Sequence, residues 1–268
     1  MSAAALRAAY GVFKRDAMTF ASYRLAFATQ AFSLFLSLTL FYYISRLVTF
    51  ETFASSDAYF AFAVIGLVTL QLLNGTLQEP PMALRGELMS GTFERFLVSP
   101  FGPARGLLAM MLFPFALSVA MGALIIAFAG LAFGLDVRWE TAALGLPVAA
   151  LGALSFACFG LALVAAAVIV KQTASGATWV VAGLSILAGL YFPVAVLPDW
   201  IEWASEVQPF TPAVDLMRNV LVGTPMPDPA WLAVLKIAGF AALLMPLATW
   251  LLTLALRTAR RRGTILEY

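Results

Sequence analysis

The chain has 268 residues, of which 62% are hydrophobic and 11% charged, and its mean hydropathy is +0.93. A water-soluble domain carries about 25% charged residues, so too little polar surface is present to cover a soluble globule, and the composition is that of an integral membrane protein. A single cysteine excludes an intrachain disulfide, and the lack of histidine removes the commonest general base and metal ligand.

Residues 3–24 come first in the chain. Leu6, Tyr10, Phe13, Ala17 and Phe20 recur at helical spacing, while Arg7, Lys14, Arg15 and Arg24 supply positive charge. That pattern suits an amphipathic helix lying in the membrane interface. A basic N-terminus that only fixes orientation is the plainer alternative. A signal peptide does not fit, because the apolar run that follows is too long and no small-residue cleavage site closes it.

Six apolar blocks follow, at about 25–45, 58–78, 105–135, 141–170, 174–192 and 231–256. Each approaches or exceeds the roughly 20 residues a helix needs to cross a bilayer. Helices are expected because hydrocarbon leaves the backbone to satisfy its own hydrogen bonds. In the second block Gln71, Asn74 and Gln78 fall on one face, and Gln30, Ser33 and Ser37 repeat the spacing in the first. Amides facing lipid are costly, so these faces meet another helix or water. They read either as interhelical glue or as the wall of a path. Pro114 in the third block predicts a kink.

The longest interruption is GELMSGTFERFLVSPFGP at 86–103. Phe93, Phe96 and Leu97 stand at i, i+3 and i+4, so a short helix would put them on one face. Glu94 and Arg95 would then point toward water or a partner. Gly91 limits the front of that helix, and Pro100 and Pro103 its end. It reads either as an ordinary interfacial loop or as a docking element. The second interruption, 192–230, is broken by prolines at 193, 198, 209, 212, 225, 227 and 229. Asp199 with Glu202 predicts a capping box opening one short helix. Thr211 and Pro212 predict the N-cap and first residue of another, closing near Gly223. Trp200 and Trp203 suit an interface, either as an anchor or as an external lid.

Twelve of the 16 basic residues fall on one side of these blocks, among them Arg7, Lys14, Arg85, Arg95 and the cluster from Arg257 to Arg262. Acidic residues such as Glu51, Asp136 and Asp199 lean to the other side. The bias predicts both termini in the cytoplasm. No phosphate loop, H-E-x-x-H, C-x-x-C or G-x-S-x-G pattern occurs. Buried carboxylates inside the blocks are nearly absent, so energy for uphill movement is expected from elsewhere.

GTFERFLVSP (91–100), after the second span, and FPVAVLPDWIEWASEVQPFTPAVDLMRNVLVG (192–223), before the sixth, resemble the two signatures of type-2 ABC transporter permeases. The resemblance covers nearly the whole chain. It implies an all-α membrane protein with six transmembrane helices, an N-terminal interfacial helix at 1–24, a six-span region at 25–256 and a basic cytoplasmic tail at 257–268, all one permease domain. It implies a coupling helix between spans two and three that docks on a separate ATP-binding cassette ATPase, carried by Glu87, Gly91, Phe93, Glu94, Arg95, Phe96, Ser99 and Pro100. Phe93 stands where many relatives have an aliphatic residue. External re-entrant helices would involve Phe192, Pro193, Pro198, Trp200, Trp203, Pro209 and Asp215. Gln71, Asn74 and Gln78 would border the path between two permease copies. ATP and Mg would be bound by the partner subunit, with no cofactor, metal or ATPase site in this chain and no nucleic-acid partner. The expectation is an exporter subunit in a bacterial cytoplasmic membrane, in contact with lipid, moving an amphipathic or lipid-like molecule such as a drug, an antibiotic or a lipid. A polysaccharide or glycolipid exporter of the same architecture, and a channel, membrane anchor or intramembrane enzyme outside the family, are the alternatives.

Overall fold

The computed structural model describes residues 3–47, 53–93, 99, 102–170 and 174–262. Every regular element among them is helical. The chain opens with α1 (Ala3–Ser22), breaks at Tyr23, and continues in α2 (Arg24–Leu47). The second apolar block forms α3 (Ser56–Leu73), a five-residue π turn (Asn74–Gln78) and α4 (Glu79–Met89) on one continuous rod. There follow α5 (Pro103–Met110), α6 (Leu112–Phe133), the single turn α7 (Trp139–Ala142) and α8 (Gly145–Val170). The last part holds α9 (Ala174–Leu187), a 3-10 turn (Val194–Val196), α10 (Asp199–Glu206), α11 (Phe210–Val222) and α12 (Ala230–Arg262).

Among the described residues, five helical rods are long and apolar enough to cross a membrane: Phe27–Leu47, Ser56–Met89, Pro103–Phe133, Gly145–Ile169 and Ala230–Ala259. The fifth block of the sequence behaves differently. Its helix α9 has 14 residues, about 21 Å, against a hydrocarbon core of about 30 Å. It ends where Gly189 takes φ +67, a conformation that costs glycine least.

The rod carrying α3 is the centre of the bundle, with α2, α6, α8 and α11 packed around it. One core cluster joins Ile65, Leu72 and Leu73 of α3 to Phe156 of α8 and Phe210 and Met217 of α11. A second lies toward the α4 end and joins Leu84, Phe93, Leu107, Leu161 and Leu252. Lipid tails give helices no hydrophobic reason to associate, so close backbone approach matters. Its two tightest cases lie against this rod. A Cβ on Gly160 of α8 would lie 2.0 Å from the Thr76 carbonyl oxygen, and one on Gly66 would lie 2.1 Å from that of Leu190.

Some local expectations are displaced. The discontinuity expected at Pro114 falls at Met111, between α5 and α6, because the missing N–H of Pro114 leaves the Met110 carbonyl, four residues earlier, without its helical donor. The Asp199–Glu202 capping box does not form: Asp199 is already inside α10, whose N-cap is Pro198 with no side-chain cap bond. Helix α11 starts one residue before Thr211, and Thr211 Oγ1 instead donates to the Leu187 carbonyl at 3.5 Å. Its end at Gly223 is as the sequence predicts. The segment 86–103 is helical at its start, since α4 runs to Met89 before Gly91, at φ +69, turns the chain.

Candidate functional site: a polar cavity and two clamped ends

The π turn follows from Pro80 and Pro81. Neither has an N–H, so the carbonyls of Thr76 and Leu77, four residues earlier, lose their helical donors, and each ring would crowd those carbonyls in an α-helix. Widening the turn relieves the crowding, although the Thr76 carbonyl gains no donor, since the residue five further on is Pro81. The Glu79 N–H reaches back five residues to the Asn74 carbonyl, the hydrogen-bond register of a π-helix. Thr76 Oγ1 donates to the Leu72 carbonyl at 2.6 Å. The turn is gripped from both sides. Gly160 meets the Thr76 carbonyl, and a Cβ on Gly75 would fall 1.9 Å from Ser118 Oγ and 2.9 Å from the Pro114 carbonyl oxygen.

The wide turn also changes which residues share a face. One extra residue in the register moves everything beyond it by about 100°. Glu79, which regular α spacing puts off the amide face, thereby joins Gln71, Asn74 and Gln78. All four line one cavity of about 360 Å³. Gln30 of α2 and Phe113 and Ser118 of α6 complete its polar and aromatic walls, and Phe20 reaches it from α1. Among the described residues, the side chains of Gln30, Gln71, Asn74, Gln78 and Glu79 have no hydrogen-bond or ion-pair partner. Within this chain they are therefore not interhelical glue. The sequence signal for Glu79 was the proline pair that follows it.

At the α4 end, Arg15 of α1 bonds Glu87 at 2.8 Å and Asp16 at 2.8 Å. The other oxygen of Glu87 accepts from Thr92 Oγ1, and Ser90 Oγ and Thr92 Oγ1 lie 2.8 Å apart. Partial burial pushes the Asp16 carboxyl above its ordinary value, with Arg15 pulling it back. Phe93 is buried in the second core cluster. Phe113 edges against Phe13 at 5.8 Å and packs on Phe20 at 5.5 Å, holding α1 against α6. So Glu87 is engaged inside the chain, Gly91 turns it, Phe93 anchors it, and Ser99 is half-buried. The expected coupling residues Glu94, Arg95, Phe96 and Pro100 lie outside the described residues.

At the opposite end, Arg218 of α11 is 3% exposed. It donates to the Gly189 carbonyl at 2.8 Å, stands 3.6 Å from Asp215, and lies with Cζ 3.4 Å from the centroid of the Phe62 ring. It thus pins the end of α9 and α11 onto α3. Thr141 Oγ1 donates to the Val220 carbonyl at 2.6 Å, tying in α7. Phe192 and Pro193 lie in the turn after α9, and Pro198 and Pro209 are the N-caps of α10 and α11. Trp200 and Trp203 of α10 are exposed.

A bundle of long apolar helices with a polar cavity of about 360 Å³, clamped by charged networks at both ends, is the construction of a multi-pass membrane transporter permease. The family model for the ABC-2 type transporter matches residues 11–222, and the chain belongs to that family. It is also similar to Nodulation protein J of Rhizobium leguminosarum bv. trifolii, 32% identical over 91 residues. That match covers 34% of this chain and 35% of the relative. Permeases of this family generally pair with an ATP-binding cassette ATPase.

Proposed function

We propose that the chain is the membrane subunit of an ATP-driven exporter of a bacterial cytoplasmic membrane. Two permease copies form the path, and a separate ATPase subunit binding ATP and Mg drives them. Residues 1–268 act as one permease domain. Both termini are cytoplasmic, and six passages are completed by α9 together with the segment that follows it. Helices α10 and α11 are the re-entrant outer elements. The cargo is amphipathic or lipid-like, in keeping with a cavity that has both aromatic and amide walls.

The observation that carries this reading is the Arg15–Glu87–Thr92 network beside Gly91. It joins three things the mechanism needs to move together: the interfacial helix α1, the rod bearing the polar cavity, and the start of the loop at 91–100. In the proposed cycle ATP binding closes the motor, and the loop is pushed. The network passes the displacement to α1 and α4, and the permease pair changes the side to which it opens. Glu94 and Arg95 contact the ATPase, and Glu87 positions the loop without touching the motor.

Glu94→Arg tests this. The variant is expected to reach the membrane at normal level and still carry its ATPase, while ATP hydrolysis no longer drives cargo movement. Wild-type transport by that variant would remove the docking role.

A further inference from the structure

From the cavity around the π turn we infer a cargo-recognition site for the cationic head of an amphipathic molecule, held within a single permease copy, with Glu79 as its counter-charge. The inference rests on the transporter reading above and adds to it the chemistry of the ligand and the place where it is taken up.

Three observations converge. The first is polarity without partners: Gln30, Gln71, Asn74 and Gln78 present amides, and Glu79 a carboxylate, to one space, and none is satisfied among the described residues. Polar groups beside hydrocarbon are retained where a ligand or water completes their hydrogen bonds. The second is charge. Among the described residues, Glu79 is the cavity's only ionisable lining residue, and no lysine or arginine lies among the others. A lone carboxylate with amide neighbours favours a cation over an anion or a neutral head, and charge-assisted bonds are about twice as strong as neutral ones. The rings of Phe20 and Phe113, 5.5 Å apart, add faces on which an alkylammonium or arylalkyl group packs.

The third is depth. The rod Ser56–Met89 has 34 residues, about 51 Å, and its apolar stretch 58–77 spans about 30 Å, the thickness of the hydrocarbon core. Gln78 and Glu79 therefore stand at the headgroup boundary on the side of Glu87 and the 91–100 loop. With Phe20 of the interfacial helix as one wall, the cavity is placed to receive a molecule from the adjoining leaflet, head first, before any path between two copies is reached. The proline pair and the glycine contacts at Gly75 and Gly160 fix the π turn that brings Glu79 to this face.

The test uses the permease in phosphatidylcholine nanodiscs, with no ATPase and no nucleotide. Saturable binding of 2-phenylethylammonium, whose NH3+ can donate to Glu79 and the amides, is compared with that of its uncharged carbon isostere, propylbenzene, by equilibrium dialysis. The cation is expected to bind at one site per chain and more tightly than the isostere. Glu79→Gln should weaken the cation about tenfold and leave the isostere unchanged. Phe113→Ala should weaken both. Equal affinity for cation and isostere, no saturable binding of either, or full cation affinity in Glu79→Gln would overturn the site. Because motor and nucleotide are absent, cation binding by a protein that recruits no ATPase would uphold the cavity and sink the exporter reading. Recruitment without cation binding would do the reverse.

Discussion

Arg218 shows how much one side chain holds at the end of the bundle opposite Glu87. Its charge persists at any physiological pH, and it is enclosed by Phe62, Asp215 and the Gly189 carbonyl. Removing it strands a buried carbonyl and a carboxylate together. Arg218→Met should therefore lower stability by about 3 kcal/mol, visible as a fall in the thermal midpoint of the detergent-solubilised protein. Arg218→Lys should recover only part, since the forked donor set is lost. A midpoint unchanged by Arg218→Met would show that the clamp is idle. From the sequence this residue was merely one of four basic groups on the outer side. Its burial depends on Phe62, more than 150 residues away, and local spacing carries no trace of that contact. The Arg15–Glu87 pair has the same character. Both residues were legible as charged and on one side, but only the turn between α1 and α2 makes them neighbours. Glu87→Arg is expected to abolish ATP-coupled transport, and Arg15→Glu added to it should restore a measurable part. Pairs at this exposure are worth up to about 1 kcal/mol, so the readout is coupling and not yield.

At the scale of elements, the rod from Ser56 to Met89 sets what its neighbours must be. Its π turn protrudes an unsatisfied carbonyl at Thr76, and only a glycine on α8 lets that backbone come so close. Gly160→Val forces the two helices apart, at a cost of about 3 kcal/mol or more, and should reduce the folded fraction sharply. Gly183→Ala, where nothing lies within 4 Å of the added Cβ, is the control and should behave as wild type. Most of these elements were readable from hydropathy, because period and length survive without tertiary information. Two things were not. The fifth block is apolar to Phe192, yet its helix stops at Leu187, since apolar residues serve a buried turn as well as a span. The face of Glu79 was not legible, because the register widens at Asn74–Gln78, where α spacing no longer applies. Phe93, expected on the apolar face of the coupling helix, is buried in the second core cluster.

On the scale of the whole molecule, the division of charge and the two interruptions at 86–103 and 192–230 were enough to reach the family, which the match over residues 11–222 establishes. What composition left open is how the two ends communicate. The structure joins them through one rod: Arg218 grips its neighbour Phe62 at one end, the π turn and cavity sit toward the middle, and the Glu87 network closes the other end. A displacement applied at the 91–100 loop has a stiff element along which to travel, and that is the physical requirement for a motor that lies outside the membrane. A channel or a passive anchor has no such requirement. Reconstitution of the purified permease into liposomes, with and without its ATPase subunit, separates these cases. Accumulation of an amphipathic cation should need both the ATPase and ATP, and should stop in Glu94→Arg. Equal movement by the permease alone, with no nucleotide present, would contradict it.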